Sequence, residues 1–174
     1  MKIYQVVDRN DKPQYGVKGK NLLHSMENMY HRSSHIIIEV FGGKILLQKK
    51  APNTENGGLW SSAVSGHVEV GETYKEAALR EAKEELGIEI DESSMNRIGT
   101  FDPIYNPQTN KEFVTLFSYL LDPRKERITI NKKELDGIAI MPRKYLEEDI
   151  KRYRDRYSPV FVLLFDLFIS INGV

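Results

Sequence analysis

Apolar residues in this chain gather mostly into short runs rich in β-formers, and they reach helical spacing at only a few places. The stretch "HIIIEVFGGKILLQKK" (35–50) holds two such runs around a Gly-Gly turn and predicts a hairpin. "MKIYQVV" predicts a short strand, followed by the turn-rich "DRNDKPQYG". "APNTENGGLW" reads as a loop and "SSAVSGHV" as another short strand. "RIGTFDPIY", "EFVTLFSYLL" and "ELDGIAIM" predict three more strands, the second with the strongest β-formers.

The pattern changes at residues 74–86, where apolar positions recur at helical intervals. Thr73 and Glu76 have the spacing of a capping box, and Gly87 is a natural stop. The C-terminal helices are expected at about 142–171: Pro142 opens "RKYLEEDIKRY", and Ser158-Pro159 sets a cap and a first-turn proline before "VFVLLFDLFISI". Phe161, Phe165 and Phe168 form an aromatic stripe suited to core or dimer-interface packing. Strands interspersed with few helices imply an α+β fold, a mixed β-sheet carrying helices in an α-β-α sandwich.

A length of 174 residues suits one domain, 1–174. The 25 basic and 25 acidic residues cancel, which argues against a broad electrostatic grip on a nucleic-acid polymer or an anionic membrane. With no cysteine, disulfides, thiolate zinc sites and cysteine nucleophiles are excluded within these residues. The N-terminal residues lack a signal-peptide pattern, and the run at 160–171 is too short to span a bilayer and carries Asp166. A cytoplasmic enzyme or binding domain is expected.

The candidate chemistry sits on the predicted helix at 74–86. Glu81, Glu84 and Glu85 share an arc of roughly 100°, with Ala78, Leu79, Ala82 and Leu86 on the adjoining arc. This is either a water-facing surface balanced by Lys75 and Lys83, or a set of carboxylates gathered around a cation. All-oxygen ligands suit Mg²⁺ or Mn²⁺ rather than zinc.

Residue order separates the two readings. Gly66, Glu72 after five residues, and after seven more Arg80-Glu81-Ala82-Lys83-Glu84-Glu85-Leu86-Gly87-Ile88 together resemble the Nudix box, G-x5-E-x7-R-E-U-x-E-E-x-G-U, over 66–88. Ala82 is smaller than the usual aliphatic residue there. The resemblance implies a Nudix-type α-β-α sandwich and a metal-dependent pyrophosphohydrolase, acting on a nucleoside diphosphate linked to another group or on a related small molecule. By motif position, Glu81, Glu84 and Glu85 hold Mg²⁺ or Mn²⁺ with the Gly66 carbonyl, and Arg80 pairs with Glu72. Glu81, or a distal acid on another strand such as Glu112, takes the proton of the attacking water.

Over roughly 24–141 the chain also resembles isopentenyl-diphosphate isomerase and its hydrolase-like relatives, through "YHRSSHIIIEV", "KILLQKKAPNTENGGLWSSAVSGHVEVGE" and "LDGI". His24, His31 and His67 fall on the isomerase histidine positions, and with Glu112 they imply a second metal site. The isomerase cysteine is replaced by Ser65, and Asn110 stands where another acid is expected; both oppose isomerisation. Lys49, Trp60 and Tyr105 are candidate substrate contacts, with Trp60 equally a core anchor. A Nudix domain that senses a ligand without catalysis is the reading from another class, although all box acids are kept. The expected partner is a small-molecule diphosphate, and a homodimer is an assembly the resemblance allows.

Overall fold

Period-two alternation sends successive residues of the central strands to opposite faces, and both faces here are apolar. Such a sheet needs a helical layer on each side. The computed structural model, which describes residues 2–25, 29–106 and 110–172 (side chains at 24, 25, 103–106 and 110 excepted), has that arrangement.

β1 (Ile3–Val7) and β2 (Pro13–Lys18) form an edge hairpin, and a short helix, α1 (Lys20–Ser25), leads to β3 (Tyr30–Val40). β4 (Lys44–Lys50), β5 (Trp60–Ser62) and β6 (Val64–His67) precede the long helix α2 (Tyr74–Leu86). Next come β7 (Asn96–Asn106), β8 (Asn110–Leu121) and β9 (Leu135–Pro142). Helices α3 (Arg143–Arg152) and α4 (Pro159–Asn172) close the chain. No helix among the described residues is long and apolar enough to cross a membrane.

β3 is the hub of a mixed sheet ordered β2-β1-β3-β4-β5. It meets β1, β6 and β4 in turn along its length, all antiparallel, and lies parallel to β8 from Tyr30↔Lys111 to Val40↔Leu121. Ile36, Ile38, Leu46 and Phe117 pack against Ala78, Ala82 and Leu86 of α2. Ile37, Ile45, Leu47 and Leu116 pack on the other face against Leu146 and Ile150 of α3 and Phe161, Phe165 and Phe168 of α4. The aromatic stripe is therefore packed within the chain's own core. Truncating one of these phenylalanines to alanine costs about 3–5 kcal/mol.

Helix α2 forms where its local signals place it. Thr73 Oγ accepts from the Glu76 N–H at 3.2 Å while the Glu76 carboxylate accepts from the Thr73 N–H at 2.8 Å. Gly87 ends the helix at φ 67°, a left-handed conformation that glycine adopts without strain. Three expectations need correction. "DRNDKPQYG" holds a turn and then β2, an edge strand with Val17 as its single buried residue, so its apolar signal is weak. "SSAVSGHV" belongs to two strands, because Trp60–Ser62 pairs with β4 and Val64–His67 with β3. The first arm of the hairpin begins at Tyr30 rather than 35.

Candidate active site

β3 and β4 hydrogen-bond only over Ile38–Val40 and Lys44–Leu46, then diverge, β3 toward β6 and β4 toward β5. The split opens a cleft of about 290 Å³. α2 brings the box carboxylates to its edge. Glu81 and Glu85 are 5% and 1% exposed, whereas Glu84 lies on the rim with 35% of its side chain exposed. Gly66 on β6 makes the close approach work: a Cβ there would stand 2.3 Å from Glu81 Cδ.

A fourth carboxylate joins them. The Thr129 N–H donates to the Leu86 carbonyl at 2.8 Å and the Asn131 N–H to the Glu85 carbonyl at 2.9 Å. These bonds satisfy carbonyls that the end of α2 would otherwise leave open. The same docking places Glu134 so that its ligand oxygen and those of Glu81 and Glu85 lie within 4.8 Å of one another. Oxygen donors at that spacing, over a glycine cradle, fit a hard divalent cation.

Cations offset this charge. Arg80 forks onto Glu72 at 2.6 and 2.9 Å, reaches the His67 carbonyl at 3.0 Å and also pairs with Glu81, tying the loop before α2 to its helix. Lys2 reaches Glu84 at 2.6 Å and Glu81 at 3.4 Å. Burial works against the Lys2 ammonium, but its bond to Glu84 and the charge of Glu81 hold it above the ordinary lysine range. Glu85 takes Lys50 Nζ at 2.8 Å and the Ser65 N–H at 3.0 Å. Burial still raises its carboxyl above the usual value, with Lys50 opposing and Glu81 reinforcing the shift.

A second cluster reaches the same cleft through His67 and Glu112. β3, β6 and β8 present His31, His67 and Glu112, all buried, with ligand atoms within 4.8 Å of one another. Glu112 Oε1 stands 3.5 Å from His31 Nε2 and 3.6 Å from His67 Nε2. Burial opposes the Glu112 charge, but the bond from His31 and the charges of both histidines hold its carboxyl well below the carboxylate range. Farther along β3, His35 Nδ1 lies 2.7 Å from Ser62 Oγ, and burial pushes its pKa down to about 4.

The structure thus brings Glu81, Glu85, Gly66, His67 and Glu112 to one cleft, with His31 buried behind Glu112, and with Glu84 and Arg80 paired to groups beside it. Lys49 and Trp60 are not there. Strand alternation turns Lys50 to the α2 side, so Lys49 faces the other way, 5.9 Å over the Trp60 ring and 3.6 Å from Asp136. Trp60 packs on the α4 core, as an anchor. His24 lies on α1 and Tyr105 on β7, but these side chains, like that of Asn110, lie outside the described residues. Lys50 was missed by one strand position. Lys2 and Glu134 left no local signal, since both reach the cleft through long-range packing.

A model of the family described as "NUDIX domain" matches residues 29–161. The chain belongs to the Nudix family. Isopentenyl-diphosphate Delta-isomerase 2 of Photorhabdus laumondii is 38% identical over 88 residues, covering 50% of this chain and 49% of that protein. Nudix hydrolase 3 of Arabidopsis thaliana is 28% identical over 141 residues, 76% of this chain but 18% of that one. The chain thus spans about half or less of the length of these two relatives. Among solved structures, DR0079 of Deinococcus radiodurans superposes with a TM-score of 0.70 at 22% identity, over 86% of this chain and 89% of that one. That likeness bears out the Nudix fold, an α+β sandwich with a mixed sheet.

Proposed function

We propose that this Nudix domain hydrolyses a diphosphate linkage in a small molecule, a nucleoside diphosphate joined to another group or a related compound. The observation carrying this reading is the convergence of Glu81, Glu85 and Glu134 over Gly66, at one end of a cleft that also holds Lys2, Lys20 and Lys50. In this reading Glu81, Glu85 and Glu134, with Glu84 from the rim and the Gly66 carbonyl, hold Mg²⁺ or Mn²⁺. The ion, when bound, neutralises phosphate oxygens and acidifies a coordinated water.

The chain's own groups supply the rest. Arg80 and Glu72 fix the cradle loop against α2, so that the carboxylates meet the substrate already in place. Lys50 and Lys20 offer ammonium groups to phosphate oxygens. The water oxygen bonds to one phosphorus, the bridging P–O bond breaks, and the departing phosphate carries the electron pair. A carboxylate of the cluster takes the water's proton.

The His31–His67–Glu112 cluster favours a second reading, an isomerase-type centre. Ser65 stands against it. Its hydroxyl accepts from Gln48 Nε2 at 3.1 Å, and a serine is far too weak an acid to replace a thiol in proton transfer. The test is a product assay over a panel of diphosphates with Mg²⁺ or Mn²⁺. Glu85→Gln is expected to cut turnover by roughly 10³-fold, about 4 kcal/mol, while leaving the protein folded. Near-wild-type turnover in that variant would sink the assignment, and isomerised product without hydrolysis would favour the second reading.

A further inference from the structure

The box carboxylates do not all face the same way. Glu81, Glu85 and Glu134 converge with ligand oxygens within 4.8 Å of one another, and Glu84 joins no such trio among the described residues. Its Oε2 lies instead 2.6 Å from Lys2 Nζ. The same ammonium stands 3.4 Å from Glu81 Oε1 and 3.6 Å from Glu69 Oε1. Three N–H donors on one nitrogen thus meet three carboxylates. The backbone fixes this meeting. The Val70 N–H donates to the Ile3 carbonyl at 2.9 Å and the Gln5 N–H to the Val68 carbonyl at 3.0 Å, so β1 runs beside the loop that carries Glu69. On the β2 side, the Gly19 N–H donates to the Lys2 carbonyl at 3.2 Å. Lys2 and Tyr4, two apart, therefore both turn to the cleft. Arg80 Nη1, 3.5 Å from Glu84 and 3.7 Å from Glu69, backs the same acids.

We infer that the Lys2 ammonium is a resident cation of this centre: it takes the Glu69–Glu81–Glu84 side of the acidic cluster, confines a divalent ion to the Glu81–Glu85–Glu134 side, and keeps a second ion out. The inference rests on the metal-dependent reading above and deepens it, by giving Glu84 Oε2 to Lys2 rather than to the ion. A lysine ammonium is a compact point charge, so it fills an ion-sized place without an ion's Lewis acidity. The ions of a two-metal site stand about 3.5–4 Å apart. Glu81 belongs to both sides of the cluster and is placed to bridge such a pair once the ammonium is gone. With Lys2 present, one metal ion and one lysine stand where two ions would.

The test counts bound Mn²⁺ in the full chain by electron paramagnetic resonance. Lys2→Met keeps the length of the side chain and removes its charge. It is expected to bind a further Mn²⁺ that wild type does not, and to show the spectrum of a spin-coupled pair, the signature of two ions sharing Glu81. Adding Glu84→Gln to Lys2→Met is expected to abolish both changes, and Lys2→Arg, which keeps the charge, to bind as wild type does. Should Lys2→Met fail to fold, Lys2→Gln carries the same count. An unchanged count in the uncharged variant, or an added ion that survives Glu84→Gln, overturns the inference, as does a coupled pair already present in wild type. Loss of Mn²⁺ in Glu85→Gln alongside any of these results leaves the metal reading standing. If Glu85→Gln binds Mn²⁺ as wild type does, the metal reading falls and takes the inference with it.

Discussion

Substituting Gly66 with alanine should separate the site from the fold. The new Cβ would stand 2.3 Å from Glu81 Cδ and 2.4 Å from its Cγ and Oε1. Ordinary carbon contacts begin at about 3.5 Å, so the carboxylate must retreat by more than about 1 Å. It is not free to do so in place, because Arg80 and Lys2 hold the same oxygen, Oε1. The obstruction is nevertheless a side chain, which swings away more cheaply than backbone, so the stability loss is expected near the low end of overpacking, about 1 kcal/mol. With Glu81 in the role proposed for it, a displacement of that size costs on the order of 10²-fold in turnover. Urea melts paired with kcat measurements at saturating Mg²⁺, and Mn²⁺ binding by electron paramagnetic resonance, read both quantities. A variant with wild-type kcat and unchanged Mn²⁺ affinity would refute the role given to this close approach. So would one that loses activity only in proportion to its unfolded fraction.

Two further outcomes are expected. His35, with Glu112 and Lys50 as the charges acting on it, has its pKa pushed down to about 4, so protonation favours the unfolded chain. Its contribution is therefore complete above about pH 6.5 and shrinks toward pH 4, by about 2 kcal/mol between pH 7 and 5. Denaturant titrations of wild type and His35→Gln at both pH values should show that difference, and parallel pH curves would rule it out. Glu134→Gln removes one charge from the proposed metal site while Asn131 still reaches its side chain, and is expected to weaken Mn²⁺ binding about tenfold. Unchanged Mn²⁺ affinity would take Glu134 out of the proposed metal site.

What could be seen in the sequence depended on how far each signal reaches. Helix α2 was legible to the residue because Thr73, Glu76 and Gly87 act within one turn of its ends. The adjacency of Glu81 and Glu85 follows from helical geometry alone. Choosing Lys49 over Lys50 required the parity of β4, which depends on α2 packing more than thirty residues downstream. β2 went unseen because its stability comes from backbone pairing with β1 rather than from an apolar face. Glu134 was out of reach for a similar reason: the bonds from Thr129 and Asn131 to the last carbonyls of α2 carry it to the site. His31, His67 and Glu112 came from resemblance, and the parallel register that sets His31 opposite Glu112 has no local trace.

That register also bears on the order in which the molecule can be made. β3 aligns in parallel with β8 from Tyr30↔Lys111 onward, a pairing that closes about eighty residues of chain before it returns any contact. Parallel, long-range pairing of this kind folds slowly. On a ribosome, β3 waits exposed on that side until β8 has been synthesised, and Glu134 follows later still. The helix with its acidic residues exists early, and the place where they act exists only near the end.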